Sequence, residues 1–122
     1  MFETPQQYIE SLPEIAQAWM NEFIDYTAAK YPQVPLVMFR QRPMFKFSDK
    51  YTEGYVMFTA ASTHFTVHSM EFDLVEAMKE KLPKASFGKG SIKVKFNDEA
   101  AKPALYEYVD AVMARHGYAE AK

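Results

Sequence analysis

Residues 55–68 read YVMFTAASTHFTVH, and this stretch decides the fold class. The run Tyr55–Ala60 is rich in aromatic and β-branched side chains, and residues 64–68 alternate apolar with polar ones. Because successive side chains of a strand point to opposite faces of its sheet, this alternation predicts a half-buried strand. The small and polar residues 61–63 are typical of a turn between antiparallel strands. The stretch therefore predicts a β-hairpin.

Three further β-rich runs surround this hairpin. Two precede it, at residues 36–40 and 43–47, and one follows it, at residues 91–96. In the last run apolar residues occupy every second position, with Lys93 and Lys95 between them, so one face is expected to be buried and the other hydrated. Short polar segments join most of these runs, which is typical of an antiparallel sheet.

The segment before the strands predicts a first helix that begins at Ser11 or Pro13. Ser11 is a favoured N-cap residue, and Glu14 three positions later completes a capping box. The helix is expected to end near Tyr31, because a proline follows and disfavours helical geometry in the residue before it. One apolar face is formed by Ile15, Trp19, Phe23 and Tyr26. Trp19 lies midway along this face and is expected to anchor the core.

The pattern after the hairpin predicts two more helices. Ser69 is a favoured N-cap residue and opens a segment with an apolar face, which Pro83 ends. The last helix is expected to begin near Pro103 and to end at Gly117, where a left-handed cap residue is favoured. The predicted order is α-β-β-β-β-α-β-α. It indicates one α+β domain over residues 1–122, with helices packed on a single antiparallel sheet.

The composition is that of an ordinary globular protein. Hydrophobic residues make up 48% of the chain and charged residues 25%, and no stretch approaches the roughly 18 apolar residues of a membrane span. The absence of cysteine excludes disulfides, thiolate metal sites and thiol catalysis by this sequence. The net charge of -2 gives no general attraction to nucleic acid or to membranes. We therefore expect a cytoplasmic protein that binds neither.

Two motifs resemble known ligand sites, but their context argues against both. His64 and His68 would form a metal pair on a helix, whereas on the predicted strand they lie about 13 Å apart, too far to share one ion. The segment GKGS at residues 88–91 resembles a phosphate loop, but it leads into a strand, so no helix N-terminus faces an anion. A turn that carries a lysine is the more ordinary interpretation, although its backbone N–H groups could hold an anion weakly.

No catalytic constellation is evident in the sequence. Three scattered histidines give no spacing typical of a Ser/His/Asp set, so we expect a protein that is not an enzyme. Two predicted helices carry acidic faces, with Glu22 and Asp25 on the first and Glu76 and Glu80 on the second. Carboxylates are ligands that hard cations such as magnesium, calcium and iron prefer, but exposed carboxylates are also commonplace.

Four short motifs resemble those of the YdhG-like family of small bacterial proteins. YIESLPE at residues 8–14 resembles the family's Y-I-x-x-L-P-E opening, and RPMFK at residues 42–46 resembles a variant of its G-M-P-A-F stretch. YVMFTAA at residues 55–61, followed by His64, is similar to its strand ending in F-A-A. GKGSI at residues 88–92 is similar to its K-G-T-I turn and strand. The resemblance covers nearly the whole chain.

This resemblance implies both a fold and a function. The family is grouped with frataxin-like proteins, and one branch is described as an intracellular iron chaperone that serves iron–sulfur cluster assembly. The implied cofactor is therefore iron, and the implied partners are iron–sulfur assembly proteins. The chain departs from the family pattern at residues 41–44, where the usual glycine before Met-Pro is absent. A function carried by that loop does not transfer.

Two function hypotheses follow from these observations. The first is a frataxin-like iron chaperone that binds iron weakly through the carboxylates of Glu22, Asp25, Glu76 and Glu80. The second is a non-enzymatic module that binds a small anion or a protein near His64 and the turn at residues 88–90. Its candidate binding residues are Pro43, Phe45, Lys46, His64, Lys89 and Gly90.

Overall fold

The computed structural model describes residues 2–48 and 50–120, which form four α-helices, six β-strands and two 3-10 turns. The helices are α1 (Pro5–Glu10), α2 (Glu14–Lys30), α3 (Phe72–Ala77) and α4 (Lys102–Arg115). The strands are β1 (Leu36–Phe39), β2 (Arg42–Lys46), β3 (Tyr55–Ala60), β4 (His64–Ser69), β5 (Ser86–Phe87) and β6 (Ser91–Lys95). The 3-10 turns span Tyr51–Glu53 and Glu99–Ala101. None of the described helices has the length and apolar character that crossing a bilayer requires.

The six strands form one antiparallel sheet in the order β1-β2-β3-β4-β6-β5. The predicted hairpin is confirmed, since β3 and β4 pair directly with Phe58 opposite Val67. α3 and β5 lie in the segment that connects β4 to β6, and β6 pairs with β4. The predicted fold class, an α+β chain with one antiparallel sheet, is therefore confirmed.

Two short elements of the structure are missing from the predicted order. α1 begins at Pro5 behind the N-cap Thr4, whose hydroxyl accepts from the backbone N–H of Gln7. β5 lies within a segment whose sequence predicts a loop. Six residues of helix and two of strand carry too few positions to show a periodic pattern.

The capping box expected at Ser11 is wrong. Ser11 is the C-cap of α1, and its hydroxyl donates to the backbone oxygen of Tyr8 at 2.6 Å. α2 begins at Glu14 behind Pro13, without a side-chain cap. Because α1 ends so close before α2, the hydroxyl of Ser11 meets the free carbonyls of α1 instead of the free N–H groups of α2.

The buried face of α2 is turned relative to the predicted one. Trp19 and Phe23 are buried as expected, but Ile15 is 48% exposed and Tyr26 is only half-buried. The other buried positions are Ala16, Met20, Ile24 and Thr27. The buried positions recur every three or four residues along a stripe that leaves Ile15 at its margin.

Ser69 ends β4 and is not the N-cap of α3. Its buried hydroxyl hydrogen-bonds the phenol of Tyr108 and accepts from the backbone N–H of Glu71. α3 begins behind Glu71, and Phe72 is 37% exposed, so it lies outside the apolar face predicted for it. The hydroxyl of Ser69 does satisfy a backbone N–H, but it does so in the turn before the helix.

The last helix is confirmed with both of its predicted ends. Pro103 lies in the first turn of α4, and Gly117 follows its C-cap with a left-handed φ of +83°. The backbone N–H of Tyr118 donates to the oxygen of Met113 at 3.0 Å, which satisfies a free carbonyl of the last turn.

The helices share one core with one face of the sheet. Phe65 of β4 lies at the centre of an aromatic group, with its ring centroid 4.8 Å from Phe23, 5.4 Å from Trp19 and 5.7 Å from Phe58. The buried apolar residues of all four helices belong to the same cluster. The opposite face of the sheet, here named the open face, is turned away from α2 and α4.

The β1–β2 hairpin turns through two residues with a left-handed backbone. The φ angle is +50° at Arg40 and +66° at Gln41. A two-residue turn of this kind favours Asn and Gly, because a left-handed conformation costs other residues roughly 1–2 kcal/mol each. The turn is therefore strained, and Arg42 follows it directly.

Gln41→Gly is expected to raise the free energy of unfolding by about 0.5–1 kcal/mol, because glycine adopts this φ without steric cost. The gain stays below the strain because glycine also increases the entropy of the unfolded chain. Urea denaturation measures the change. Gln41→Ala is the matched control: it removes the same hydrogen bond to the N–H of Phe2 but keeps the strain, so it should give no gain. Equal stabilities of the two variants would contradict the strain.

Trp19→Ala is expected to lower the free energy of unfolding by about 3–5 kcal/mol, because Trp19 is 1% exposed and its truncation leaves a cavity. Ile15→Ala in the same helix removes an exposed apolar side chain and should cost less than about 1 kcal/mol. Both values come from urea denaturation. A loss for Trp19→Ala no larger than the loss for Ile15→Ala would show that Trp19 does not anchor the core.

Candidate functional site

The open face carries a row of polar side chains across four strands. Thr59 of β3 lies opposite Thr66 of β4, which in turn lies opposite Lys93 of β6. Arg42 at the start of β2 extends the row on the other side of Thr59, by continuation of the β2–β3 register. We name Arg42, Thr59, Thr66 and Lys93 the threonine row.

A shallow cavity of about 270 Å³ lies at the threonine row. Besides the four residues of the row, its lining comprises Tyr8, Ala60, Ala61 and His64. The lining offers two cations, two aliphatic hydroxyls, a phenol and an imidazole, and no described carboxylate belongs to it. This set presents hydrogen-bond donors and positive charge to a ligand.

Tyr8 fastens α1 to the end of β3 beside the row. Its phenol oxygen accepts from the backbone N–H of Ala60 at 3.1 Å and donates to the backbone oxygen of Ala60 at 3.3 Å. The guanidinium carbon of Arg42 lies 4.9 Å from the centroid of the Tyr8 ring, in cation–π contact. α1 therefore positions one of the two cations of the row.

The cations of the row differ in their partners from those on the helices. Lys30, Lys102 and Arg115 each have a carboxylate oxygen within 3.0 Å. Among the described residues, no carboxylate lies within ion-pair distance of Arg42 or Lys93. The charge of these two side chains is therefore free to attract an anion.

His64 and His68 both lie on β4, so the strand predicted for them is confirmed. Each ring has its own polar partner. Nδ1 of His64 lies 2.6 Å from the hydroxyl of Thr63, and Nε2 of His68 lies 2.9 Å from the hydroxyl of Thr59. Burial lowers the pKa of His68, so its ring is neutral at pH 7.

The binding residues predicted around His64 and the turn at residues 88–90 are not brought together. His64 lies opposite Lys95, whereas the backbone oxygen of Gly90 accepts from the N–H of Ser69, at the other end of β4. These two ends of the strand are roughly 16 Å apart. Spacing along the sequence does not reveal such a separation, because it depends on how the strands pair.

The remaining members of that predicted set lie in different surroundings. Phe45 is 1% exposed in the core, and Pro43 is also buried. Lys46 is the last residue of β2 and does not line the cavity. Lys89 lies over the ring of Phe72 in α3, with its Nζ 4.9 Å from the ring centroid. Of the six predicted residues, His64 alone lines the cavity.

Sequence reasoning did not single out any of the four residues of the threonine row as candidate binding residues. Their signal lay in the alternation itself, since Thr59, Thr66 and Lys93 occupy the polar positions of the predicted strands. The row becomes evident once these positions are aligned between paired strands. That step needs the pairing register, which the alternation of one strand does not contain.

The carboxylates predicted as iron ligands on α2 have different environments. Glu22 accepts hydrogen bonds from Lys102 and Tyr106. Burial pushes the pKa of Glu22 upward, but these two bonds outweigh burial and leave the pKa below its ordinary value. Asp25, one turn further along α2, is exposed.

The carboxylates predicted on the second acidic face lie at α3 and the turn after it. Glu76 forms an ion pair with Lys79 at 2.9 Å, and Glu80 is exposed. Within residues 2–48 and 50–120, no group of three or more histidine or acidic side chains is arranged to hold a metal ion.

Comparison with known proteins shows what the chain is similar to. No family model and no curated protein matches it. Among solved structures, it is similar to YdhG from Bacillus subtilis, a protein of the DUF1801 family, with a TM-score of 0.74 and 13% sequence identity. The match covers 90% of this chain and 88% of that one. At this identity the likeness shows the fold alone, so the YdhG-like fold is confirmed and the frataxin-like grouping gains no support.

Proposed function

We propose that this protein is a non-enzymatic binding domain that holds a small oxyanion, such as a phosphate or sulfate group, at the threonine row. The observation that carries the proposal is the set of side chains at one cavity. Two cations without a carboxylate partner among the described residues flank two hydroxyls, and no described carboxylate lines the cavity.

The spacing of the row suits a single oxyanion. Neighbouring strands lie roughly 4.8 Å apart, so Thr59 and Thr66 lie side by side with one cation beyond each. The long side chains of Arg42 and Lys93 can bend toward a group centred over the two threonines. The guanidinium then offers two parallel N–H donors, and the ammonium offers a point charge.

The size of the cavity limits the ligand. Pockets for drug-sized molecules measure about 300–1,000 Å³, and this one measures about 270 Å³ with an open mouth. A compact ligand therefore fits, such as a free oxyanion or a small molecule that carries one.

The proposal assigns no catalytic step to the row. Thr59 and His68 form a hydroxyl–imidazole pair, and such a pair can act as a nucleophile with its general base. Burial lowers the pKa of His68 and weakens it as a base, and no described hydrogen bond orients its Nδ1. The pair is better suited to holding a hydroxyl in place than to activating it.

Sodium sulfate is expected to shift the backbone amide NMR signals of Thr59, Thr66 and Lys93 in a saturable way, whereas sodium chloride at equal ionic strength should not. Arg42→Gln and Lys93→Gln should each weaken sulfate binding by about tenfold, because each removes a charged hydrogen-bond donor. Lys79→Gln is the matched control, since it neutralises an exposed lysine near α3 and should leave the affinity unchanged. Shifts that do not saturate, or equal effects of all three variants, would overturn the proposal.

Iron handling is a second candidate function, and it rests on the resemblance to the YdhG-like family. Its support in the structure is weaker, because Glu22 and Glu76 already pair with lysines. Binding through exposed carboxylates would be weak, on the order of micromolar, and would decline in acid, because a protonated carboxyl is a poor ligand for a hard cation.

Ferrous iron, titrated calorimetrically without oxygen, tests that function. If the carboxylates bind iron, neutralising Glu22 with Asp25, or Glu76 with Glu80, should reduce the measured heat. A wild-type titration with no heat beyond dilution, or one that neither double variant changes, would remove iron from consideration. Either result leaves the sulfate experiment independent, since sulfate is measured at a different surface.

A further inference from the structure

A hydrogen bond to the threonine row comes from a histidine that does not line the cavity. His68 lies diagonally across the β3–β4 pair from Thr59, and its Nε2 is 2.9 Å from the Thr59 hydroxyl oxygen. We propose that His68 is a positioning residue for the anion site, which donates its Nε2–H to Thr59 and so leaves the hydroxyl proton of Thr59 to point at the anion. This inference rests on the proposed function of the threonine row.

The chemistry of the hydroxyl leaves two arrangements. A threonine hydroxyl has one proton to donate and two lone pairs that accept. If Nε2 of His68 accepted, Thr59 would donate its proton to the ring. A lone pair of the Thr59 hydroxyl would then face the ligand and repel an oxyanion. If Nε2–H donates, the hydroxyl proton is free for the oxyanion. An anion at the row therefore selects the second arrangement.

The surroundings of His68 favour its hydrogen bond to Thr59 over hydration. His68 is half-buried, with Met57 opposite on β3 and Ser91 opposite on β6. The titratable groups that face it from its own and neighbouring strands are His64 on β4, Tyr55 on β3 and Lys93 on β6. No described carboxylate lies within ion-pair distance of its ring, so the negative charge of a bound anion would be a new influence on His68.

Binding is therefore coupled to the proton on Nε2. That proton is present in one neutral tautomer of His68 and in the cation, and absent in the other tautomer. A bound anion favours the neutral tautomer that carries this proton, and its negative charge stabilises the cation still more, so it raises the pKa of His68 from the value that burial has lowered. By the same linkage, affinity for the anion increases as pH falls through that pKa.

Two-bond 1H–15N NMR of the histidine rings tests this coupling in the wild-type protein. The chain has three histidines, so each ring can be assigned and followed. At saturating sulfate, whose charge does not change between pH 5 and pH 8, the ring of His68 should carry its proton on Nε2. Its pKa should rise by about one unit relative to chloride at equal ionic strength. His116, on the helix side at the end of α4, serves as the internal reference and should not change.

Two substitutions separate positioning from structure. His68→Gln keeps a side-chain N–H donor and should retain sulfate affinity within about twofold, whereas His68→Leu removes the donor and should weaken it by about three- to tenfold. Urea denaturation checks that both variants fold. In His64→Gln the pH dependence of sulfate binding should persist, which excludes His64 as its source.

The outcomes distinguish the positioning role of His68 from the oxyanion binding on which it rests. Saturable sulfate binding with an unchanged tautomer and pKa of His68, or equal losses in His68→Gln and His68→Leu, would overturn the positioning role and leave the anion site in place. No saturable sulfate binding would overturn both. A response of His68 together with rescue by glutamine establishes the coupling.

Discussion

The packing of α2 against the β3–β4 hairpin is the constraint on which the rest of the structure depends. The ring of Phe23 lies 4.8 Å from that of Phe65 and 5.7 Å from that of Phe58, between centroids. A slip of one residue in strand pairing would turn such rings to solvent, so burial on one face fixes the register of the whole sheet. The same register turns Thr59 and Thr66 outward and side by side. The candidate site is therefore a consequence of the core.

Charge is distributed differently on the two sides of the sheet. On the helix side, Asp110 accepts hydrogen bonds from Tyr26, Tyr31 and Lys30, and this carboxylate ties α4 to α2. Burial raises the pKa of Tyr31, and the bond to Asp110 raises it further, so the phenol keeps its proton and its role as donor. Glu22 and Asp73 are likewise engaged, by Lys102 and Arg115. A chain of net charge -2 can in this way present a positive site on its open face.

The sequence was a good guide to long elements and a poor one to short elements. The alternation in residues 55–68 and 91–96 predicted β3, β4 and β6, because burial on one face leaves a period of two. α1 and β5 contain too few residues to show a repeating pattern, and the missed α1 also misled the interpretation of Ser11. The candidate site was harder still to predict, since only His64 of the predicted binding residues lines the cavity. Pro43 and Phe45 are buried, and the turn at residues 88–90 is separated from His64 by strand pairing, which no single segment encodes.

The β1–β2 turn is both the strained part of the sheet and the place where the chain departs from the YdhG-like motif pattern, at residues 41–44. A strained backbone persists only where its surroundings hold it. Here Gln41 accepts a hydrogen bond from the N–H of Phe2, and Arg42 stacks on Tyr8 of the same N-terminal segment. These contacts hold the turn in the conformation that places a guanidinium beside the threonines. A fold shared with YdhG does not by itself transmit a site, so the anion site that we propose depends on the Arg42 that this turn positions as well as on the threonines that the sheet register aligns.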